Sequence, residues 1–232
     1  MGSDISTGAD DRPASASPLL DGVVGIPFRA AGALRHAKAF HPTGRTVNGT
    51  IDAIAPALDT VAPDASVTVR LSKGVGLPGG VPDILGVAIR LSVDGGAPWD
   101  LLLASSTRRS VRLPVPVPVA TWSRTTFSSL TPFSSGGAMW WIRAETLADS
   151  HTADLPDGSV QIVLSHARGT SAFRSFAMVH TDTGVIADVD FDPVRNLPPG
   201  VAMAPRWLAR VRGAAYDNSR AGRRISRASG TP

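Results

Sequence analysis

Three short segments between residues 67 and 104 constrain the fold most strongly, because each is typical of a strand and the first alternates β-branched and polar residues. They are residues 67–72, 85–93 and 99–104. β-Branched residues favour strands, and a glycine- and proline-rich loop at 74–80 and a turn at 94–96 separate the segments. Runs joined by such short turns pair with each other, so the sequence predicts a β-rich fold.

The rest of the chain extends this pattern. Further strands are predicted over residues 44–51, 159–165, 175–180 and 185–191, with a hairpin turn at 181–184 between the last two. Helices are predicted over 30–39 and 206–216, and a short one over 139–147. At least six strands with helices at the two ends favour a closed antiparallel β-barrel with flanking helices, an α+β fold.

Composition excludes several classes of protein. The chain has no cysteine, which excludes disulfides, thiol catalysis and cysteine-ligated metal centres. It has no apolar stretch of the ~20 residues that a membrane helix needs, so no membrane span is expected. Residues 1–17 are polar and acidic, and we expect a disordered N-terminal arm there, followed by a single domain over 18–232 in a cytoplasmic protein. No phosphate-binding glycine loop, nucleophile elbow or zinc-protease motif is present.

One group of residues near the end of the sequence has side chains suited to binding a cofactor. Arg212 and Tyr216 are four residues apart, so they share one face of the predicted C-terminal helix. A guanidinium beside a phenol favours the phenolate, and tyrosinate is one of the few protein ligands of haem iron. Arg223, seven residues further on, would reach a carboxylate of the same cofactor. The competing interpretation is an amphipathic surface helix. His36 is a candidate proton shuttle or a structural histidine at a helix end.

Several segments, in the same order along the chain, resemble the haem catalase superfamily over about residues 29–225. They are His36-Ala37-Lys38 with Gly44, Val69-Arg70-Leu71-Ser72, Gly86-Val87-Ala88-Ile89-Arg90-Leu91 followed by Trp99-Asp100-Leu101, Phe191-Asp192-Pro193 with Pro199-Gly200-Val201, and Arg212 with Tyr216 and Arg223. A series of motifs in the right order is far more specific than any one of them.

The resemblance implies an eight-stranded antiparallel barrel with haem b (iron) inside. It makes Tyr216 the iron ligand and Arg212 the group that stabilises its phenolate. Arg70 and Arg223 would face the haem propionates. His36 would be the distal acid–base residue, and Ser72 would orient it through a hydrogen bond.

The sequence also departs from the family pattern. Ser105 and Ser106 stand where the family has asparagines, one of which orients peroxide, and we retain them as candidate catalytic residues beside His36. Arg35 occupies a normally apolar position; we count it among the cofactor-binding residues, where it would also attract an anionic substrate. These departures favour a minimal catalase-related peroxidase over a fast catalase. It would act on hydrogen peroxide or organic and lipid hydroperoxides, with an organic electron donor and weak catalase activity.

Three alternatives stay open. One is a haem-binding redox or gas sensor or carrier without turnover. Another is a fatty-acid hydroperoxide-rearranging enzyme, as in the allene oxide synthase branch of the family. The third abandons haem: residues 206–227 hold seven arginines and one acid, a basic patch suited to nucleic acid or an anionic membrane. Arginines at the haem-motif spacing and few interleaved aromatics weigh against it, so no nucleic acid is expected. A homodimer is the expected oligomeric state.

Overall fold

A computed structural model describes residues 43–54, 65–77, 80–92, 98–109, 111–113 and 115–205. Within these residues the secondary structure consists of ten β-strands. They are β1 (Thr43–Ala53), β2 (Ala65–Lys73), β3 (Leu85–Leu91), β4 (Trp99–Ser106), β5 (Thr126–Ser128), β6 (Phe133–Ser135), β7 (Ala138–Leu147), β8 (Gln161–Arg168), β9 (Arg174–Val185) and β10 (Ala202–Met203).

Eight of these strands form a closed antiparallel barrel, which confirms the predicted β-barrel. Around the ring the order is β1, β2, β3, β4, β5, β7, β8 and β9, and β9 pairs again with β1. The short strands β6 and β10 pair with each other, and β6 also pairs with the start of β7. The barrel thus has a small two-stranded extension on one side.

The predicted strands form because their apolar positions all point the same way. In β2, Val69 and Leu71 are fully buried, and their register partners Ile89 and Val87 in β3 are buried as well. Directly opposed residues in paired strands lie on the same face of the sheet. One face of each strand therefore fills the barrel, and the other faces outward.

The barrel interior is a packed apolar core. Its largest fully buried side chains are Trp99, Trp122, Phe127, Phe176, Ile51, Leu71, Leu85, Ile89, Leu91, Leu101, Ile142 and Ile162. Trp99 meets Phe133 edge to face with ring centroids 5.6 Å apart, and Trp122 stacks on Phe127 at 5.8 Å. Burying one large apolar side chain contributes roughly 1.5–3 kcal/mol, so this core dominates the stability of the barrel.

The helix predicted over residues 139–147 is wrong, because these residues lie in β7. The segment is rich in helix-forming residues, but Ile142 and Ala144 are buried while Trp141 and Arg143 between and beside them are not. β7 pairs with β8 along its whole length and with β5 and β6 on its other side. These pairings override the local helix propensity.

The hairpin turn at 181–184 and the strand at 185–191 are also wrong. β9 continues straight through this turn to Val185 and pairs with β1, where Val47 opposes Val185. The chain then leaves the sheet. The alternating acids of the next segment bond to side chains on the outside of the barrel instead of to a neighbouring strand.

The flanking helices predicted over 30–39 and 206–216 lie outside the described residues. In the part of the chain that is described, no helix is long and apolar enough to cross a membrane.

Candidate functional site

The described residues that the resemblance assigns to the site lie on two faces of the sheet. Arg70 and Ser72 are on the outer face of β2, because side chains alternate along a strand and their neighbour Leu71 points into the core. Ser106, at the end of β4, shares the outer side with Asp100, whereas Ser105 points the same way as the core residues of β4.

The guanidinium of Arg70 forms an ion pair with a carboxylate. Its Nε donates to Oδ1 of Asp188 at 2.9 Å, and the hydroxyl of Thr46, its register partner in β1, donates to the same oxygen at 2.8 Å. A Cβ atom on Gly44 would lie 2.5 Å from Cζ of Arg70. The glycine therefore provides the space in which the guanidinium lies.

Ser72 lies beside Arg70 on the same face and is buried. Its register partners are Gly44 in β1 and Gly86 in β3, neither of which has a side chain. Its hydroxyl lies 3.3 Å from the carbonyl oxygen of Gly86 and donates to it. The pair Arg70 and Ser72 thus combines a cation and a hydroxyl two residues apart.

Ser105 and Ser106 differ in what their hydroxyls do. Ser105 is fully buried; its hydroxyl donates to the carbonyl oxygen of Val117 at 2.6 Å and accepts from the backbone N–H of Leu85 at 3.0 Å. The hydroxyl of Ser106 donates to the carbonyl oxygen of Thr107 at 3.3 Å. The single proton of the Ser105 hydroxyl is therefore already used in a hydrogen bond within the fold.

Residues 186–196, which we call the strap, cross the outer side of β1 to β4. The strap begins where the backbone N–H of Ile186 donates to Thr46, and it reaches β4 where the backbone N–H of Asp100 donates to Asn196. Between these points Asp188 binds Arg70, and Nη2 of Arg90 donates to the carbonyl oxygen of Asp190 at 2.6 Å. The strap covers part of the face that carries Arg70.

A buried carboxylate holds the far end of the strap. Asp100 is fully buried and accepts two parallel hydrogen bonds from Arg90, each 2.7 Å long. It also accepts from the backbone N–H of Asp192 at 2.7 Å and from Nδ2 of Asn196 at 2.8 Å. The hydrogen bond to Asp100, with the Coulomb attraction of the same group, raises the pKa of Arg90 despite its partial burial. The guanidinium of Arg90 therefore stays charged over the whole physiological pH range.

The remaining predicted site residues lie outside the described residues. They are Arg35, His36, Arg212, Tyr216 and Arg223. Among the described residues, no group of three or more histidine and acidic side chains is arranged to hold a metal ion.

The sequence alone does not show a second group of charged side chains that the fold brings together. Arg108 and Arg112 follow β4, and Arg143 lies on the outer side of β7; we call these three the arginine cluster. The guanidinium carbons of Arg112 and Arg143 each lie 4.7 Å from the ring centroid of Phe173. Burial, together with the positive charges of Arg108 and Arg112, lowers the pKa of Arg143. More than 30 residues separate Arg143 from Arg108 and Arg112 along the chain, so no local motif signals the cluster.

His166 belongs to neither group. Its ring stacks on Trp140 at 5.2 Å and meets Phe176 edge to face at 5.4 Å. Burial, with the nearby charge of Arg174, lowers its pKa and so favours the neutral imidazole. It packs as an aromatic side chain.

No protein-family model matches this chain, and no curated protein matches it.

Proposed function

We propose that this chain is a small haem-dependent oxidoreductase of the catalase type, which uses hydrogen peroxide or organic hydroperoxides as a peroxidase. The observation that carries the proposal is the pair Arg70 and Ser72, side by side on the outer face of β2 in a closed eight-stranded barrel. The motifs shared with the catalase superfamily supply the identity of the cofactor.

The described residues fit the carboxylate edge of haem. Arg70 pairs with Asp188, which is the chemistry that a propionate would offer to the same guanidinium. The proposal places the cofactor against the outer face, because apolar side chains fill the inner face where the resemblance would put it. Asp188 then competes with the propionate for Arg70.

Each residue of the proposed site has one task. Arg70 and Arg223 would bind the propionates, Tyr216 would hold the iron, and Arg212 would stabilise its phenolate. His36 would accept a proton from the peroxide and return it to the departing oxygen, while Ser72 would orient the imidazole. The haem would supply the redox chemistry at the O–O bond, with an organic donor as the source of the electrons. Arg35 would attract an anionic substrate to the entrance.

A second candidate function is haem binding without turnover, in a sensor or carrier. The observation that favours it concerns Ser105, whose hydroxyl proton goes to Val117 and is not available to orient peroxide. Of the two serines, only Ser106 shares its outer face with Arg70 and Ser72. Low peroxidase turnover with intact haem binding would support this candidate.

Titration of the full-length protein with hemin tests the proposal. We expect a Soret band from a high-spin ferric haem that shifts or disappears in Tyr216→Phe. Absence of any Soret change on hemin addition to the wild-type protein would refute haem binding. Peroxide turnover of the hemin-loaded protein, compared with that of His36→Gln, then separates the enzyme from the sensor.

A matched pair of variants on β2 and the strap sharpens the test. Arg70→Met removes the charge that receives the propionate, so hemin affinity should fall by about tenfold, as expected for one charge-assisted hydrogen bond. Asp188→Asn removes the competing carboxylate, so the affinity should rise. Equal hemin affinity in both variants and the wild-type protein would exclude Arg70 from the site.

A further inference from the structure

Three guanidinium groups from distant parts of the chain meet outside β7 in the arginine cluster. Arg112 donates from Nε to the carbonyl oxygen of Gly169 at 3.2 Å and from Nη2 to that of Ser171 at 2.6 Å. These bonds join the segment after β4 to the turn between β8 and β9, and Phe173 in that turn lies against both Arg112 and Arg143. The cluster is therefore held in place by backbone and aromatic contacts.

The cluster carries more positive charge than its surroundings neutralise. Among the described residues of 107–113, 138–147 and 161–175 the sole carboxylate is Glu145, against six arginines. It accepts a hydrogen bond from Nη2 of Arg108 at 2.8 Å. The three guanidiniums of the arginine cluster therefore share one described carboxylate, which leaves two of their positive charges without a partner carboxylate.

Arg143 has a polar atom that its surroundings leave unsatisfied. Its Nε is buried and has no hydrogen-bond partner among the described residues, and its Nη2 reaches the hydroxyl of Ser165 only at 3.5 Å. The positive charges of Arg108 and Arg112 act on it, in agreement with the lowered pKa of this group. An unpaired buried donor and unrelieved repulsion between like charges both cost stability, and an anion bound at the outer guanidinium nitrogens would relieve the repulsion.

We propose that the arginine cluster binds a phosphate monoester, with Arg143 at the centre of the site. A phosphate monoester carries nearly two negative charges at neutral pH, which matches the two uncompensated positive charges. Its oxygens accept parallel hydrogen bonds from a guanidinium, and arginine is the side chain best suited to that geometry. A carboxylate would neutralise one charge and leave the other.

The competing explanation is that Arg143 is structural and only stacks on Phe173. The two explanations differ in the unliganded protein. A structural arginine would make Arg143→Met less stable than the wild type. An anion site would leave the stability of this variant unchanged or raise it, because the substitution keeps the aliphatic packing and removes a buried unpaired donor.

Calorimetric titration of the full-length protein with inorganic phosphate in low-salt buffer tests the proposal. We expect saturable binding that weakens by at least about tenfold in Arg143→Met, as for the loss of a hydrogen bond to a charged group. Arg108→Gln, at a side chain 72% exposed, should weaken binding without affecting the fold. Arg195→Gln, an exposed arginine on the strap, is the matched control and should bind as the wild type does.

Two results of these titrations would overturn the proposal. Equal phosphate affinity in the wild type, Arg143→Met and Arg108→Gln, or no saturable binding at all, would overturn the proposal. A second titration uses a DNA strand of ten nucleotides, whose phosphates are diesters. Binding of this strand alone, with no response to inorganic phosphate, would overturn the assignment to a monoester.

Discussion

Asp83 shows how one carboxylate shapes the loop between β2 and β3. It is buried, and its two oxygens accept hydrogen bonds from the backbone N–H groups of Val75, Gly76, Leu77 and Ile84 at 2.7–3.1 Å. Burial alone would raise its pKa, but the four N–H donors outweigh that effect and lower the pKa below 3.8. The ionised form of Asp83 therefore stabilises the folded state.

Asp83→Asn should lower the free energy of unfolding by about 1–3 kcal/mol, because the amide NH₂ faces two N–H donors that lose their acceptor. A lowered folded pKa adds stability that is present above the unfolded value and is lost as the pH falls through the folded one. Denaturant titrations between pH 7 and about pH 3 should thus show that the free energy of unfolding falls less steeply with pH in the variant than in the wild type. Asp157→Asn, at an exposed loop residue, is the control, and an unchanged acid slope in Asp83→Asn would contradict the assignment.

At the scale of elements, the contact between β1 and β9 closes the barrel and depends on Gly49. A Cβ atom there would lie 2.3 Å from the carbonyl oxygen of His180, a backbone atom that cannot move aside. The register between the two strands also shifts between Val47 and Gly49. The two backbones therefore lie close together at Gly49.

Gly49→Ala should therefore destabilise the protein by about 1–3 kcal/mol through overpacking, measured by chemical denaturation. Gly184→Ala is a matched control in β9, since a Cβ atom there meets nothing within 4 Å. If both variants were equally stable, the close approach at Gly49 would not constrain the barrel.

The strap is the element that should open first when its anchor is weakened. Asp100→Asn removes the charge that binds Arg90 and disturbs the bonds from Asp192 and Asn196. Backbone amides of the strap should then exchange hydrogen faster, whereas amides of β8 should be unaffected. Asp182→Asn, at an exposed position of β9, should leave both sets of amides unchanged. Uniform acceleration over the whole barrel would show instead that the strap does not open separately.

The sequence predicts correctly those strands whose local residue pattern agrees with their pairing in the sheet. β2 follows from its alternating β-branched residues, β3 and β4 follow from apolar runs between short turns, and the shared face of Arg70 and Ser72 follows from their spacing of two. The local sequence of β7 favours a helix, and pairing on both edges decides its structure instead. The arginine cluster could not be predicted, since tertiary folding alone brings Arg108, Arg112 and Arg143 together.

At the scale of the whole molecule, the closed ring makes one core out of strands that are far apart in sequence. Such non-local pairing predicts slow folding, in roughly milliseconds to seconds, and cooperative unfolding. Leu101→Ala, in the centre of this core, should cost about 2–5 kcal/mol and should shift the unfolding transitions seen by tryptophan fluorescence and by far-ultraviolet circular dichroism together.

Leu102→Ala is the matched control for this prediction. Leu102 is the next residue in β4 and is half-buried on the opposite face. Its substitution by alanine should lower the free energy of unfolding clearly less than Leu101→Ala does. Separate transitions for the two probes would show that the barrel unfolds in parts.

Closure of the ring also bears on how this protein behaves when it is concentrated. An open sheet offers unpaired N–H and C=O groups on which another chain can add a strand, and this is a common start of aggregation. Each of the eight described barrel strands has a partner on both sides, and the two-residue strand β10 ends two residues before Pro205, which has no N–H. The folded barrel should therefore tolerate high concentration. Conditions that break the contact between β1 and β9 would expose two long edges at once and should be the ones that precipitate it.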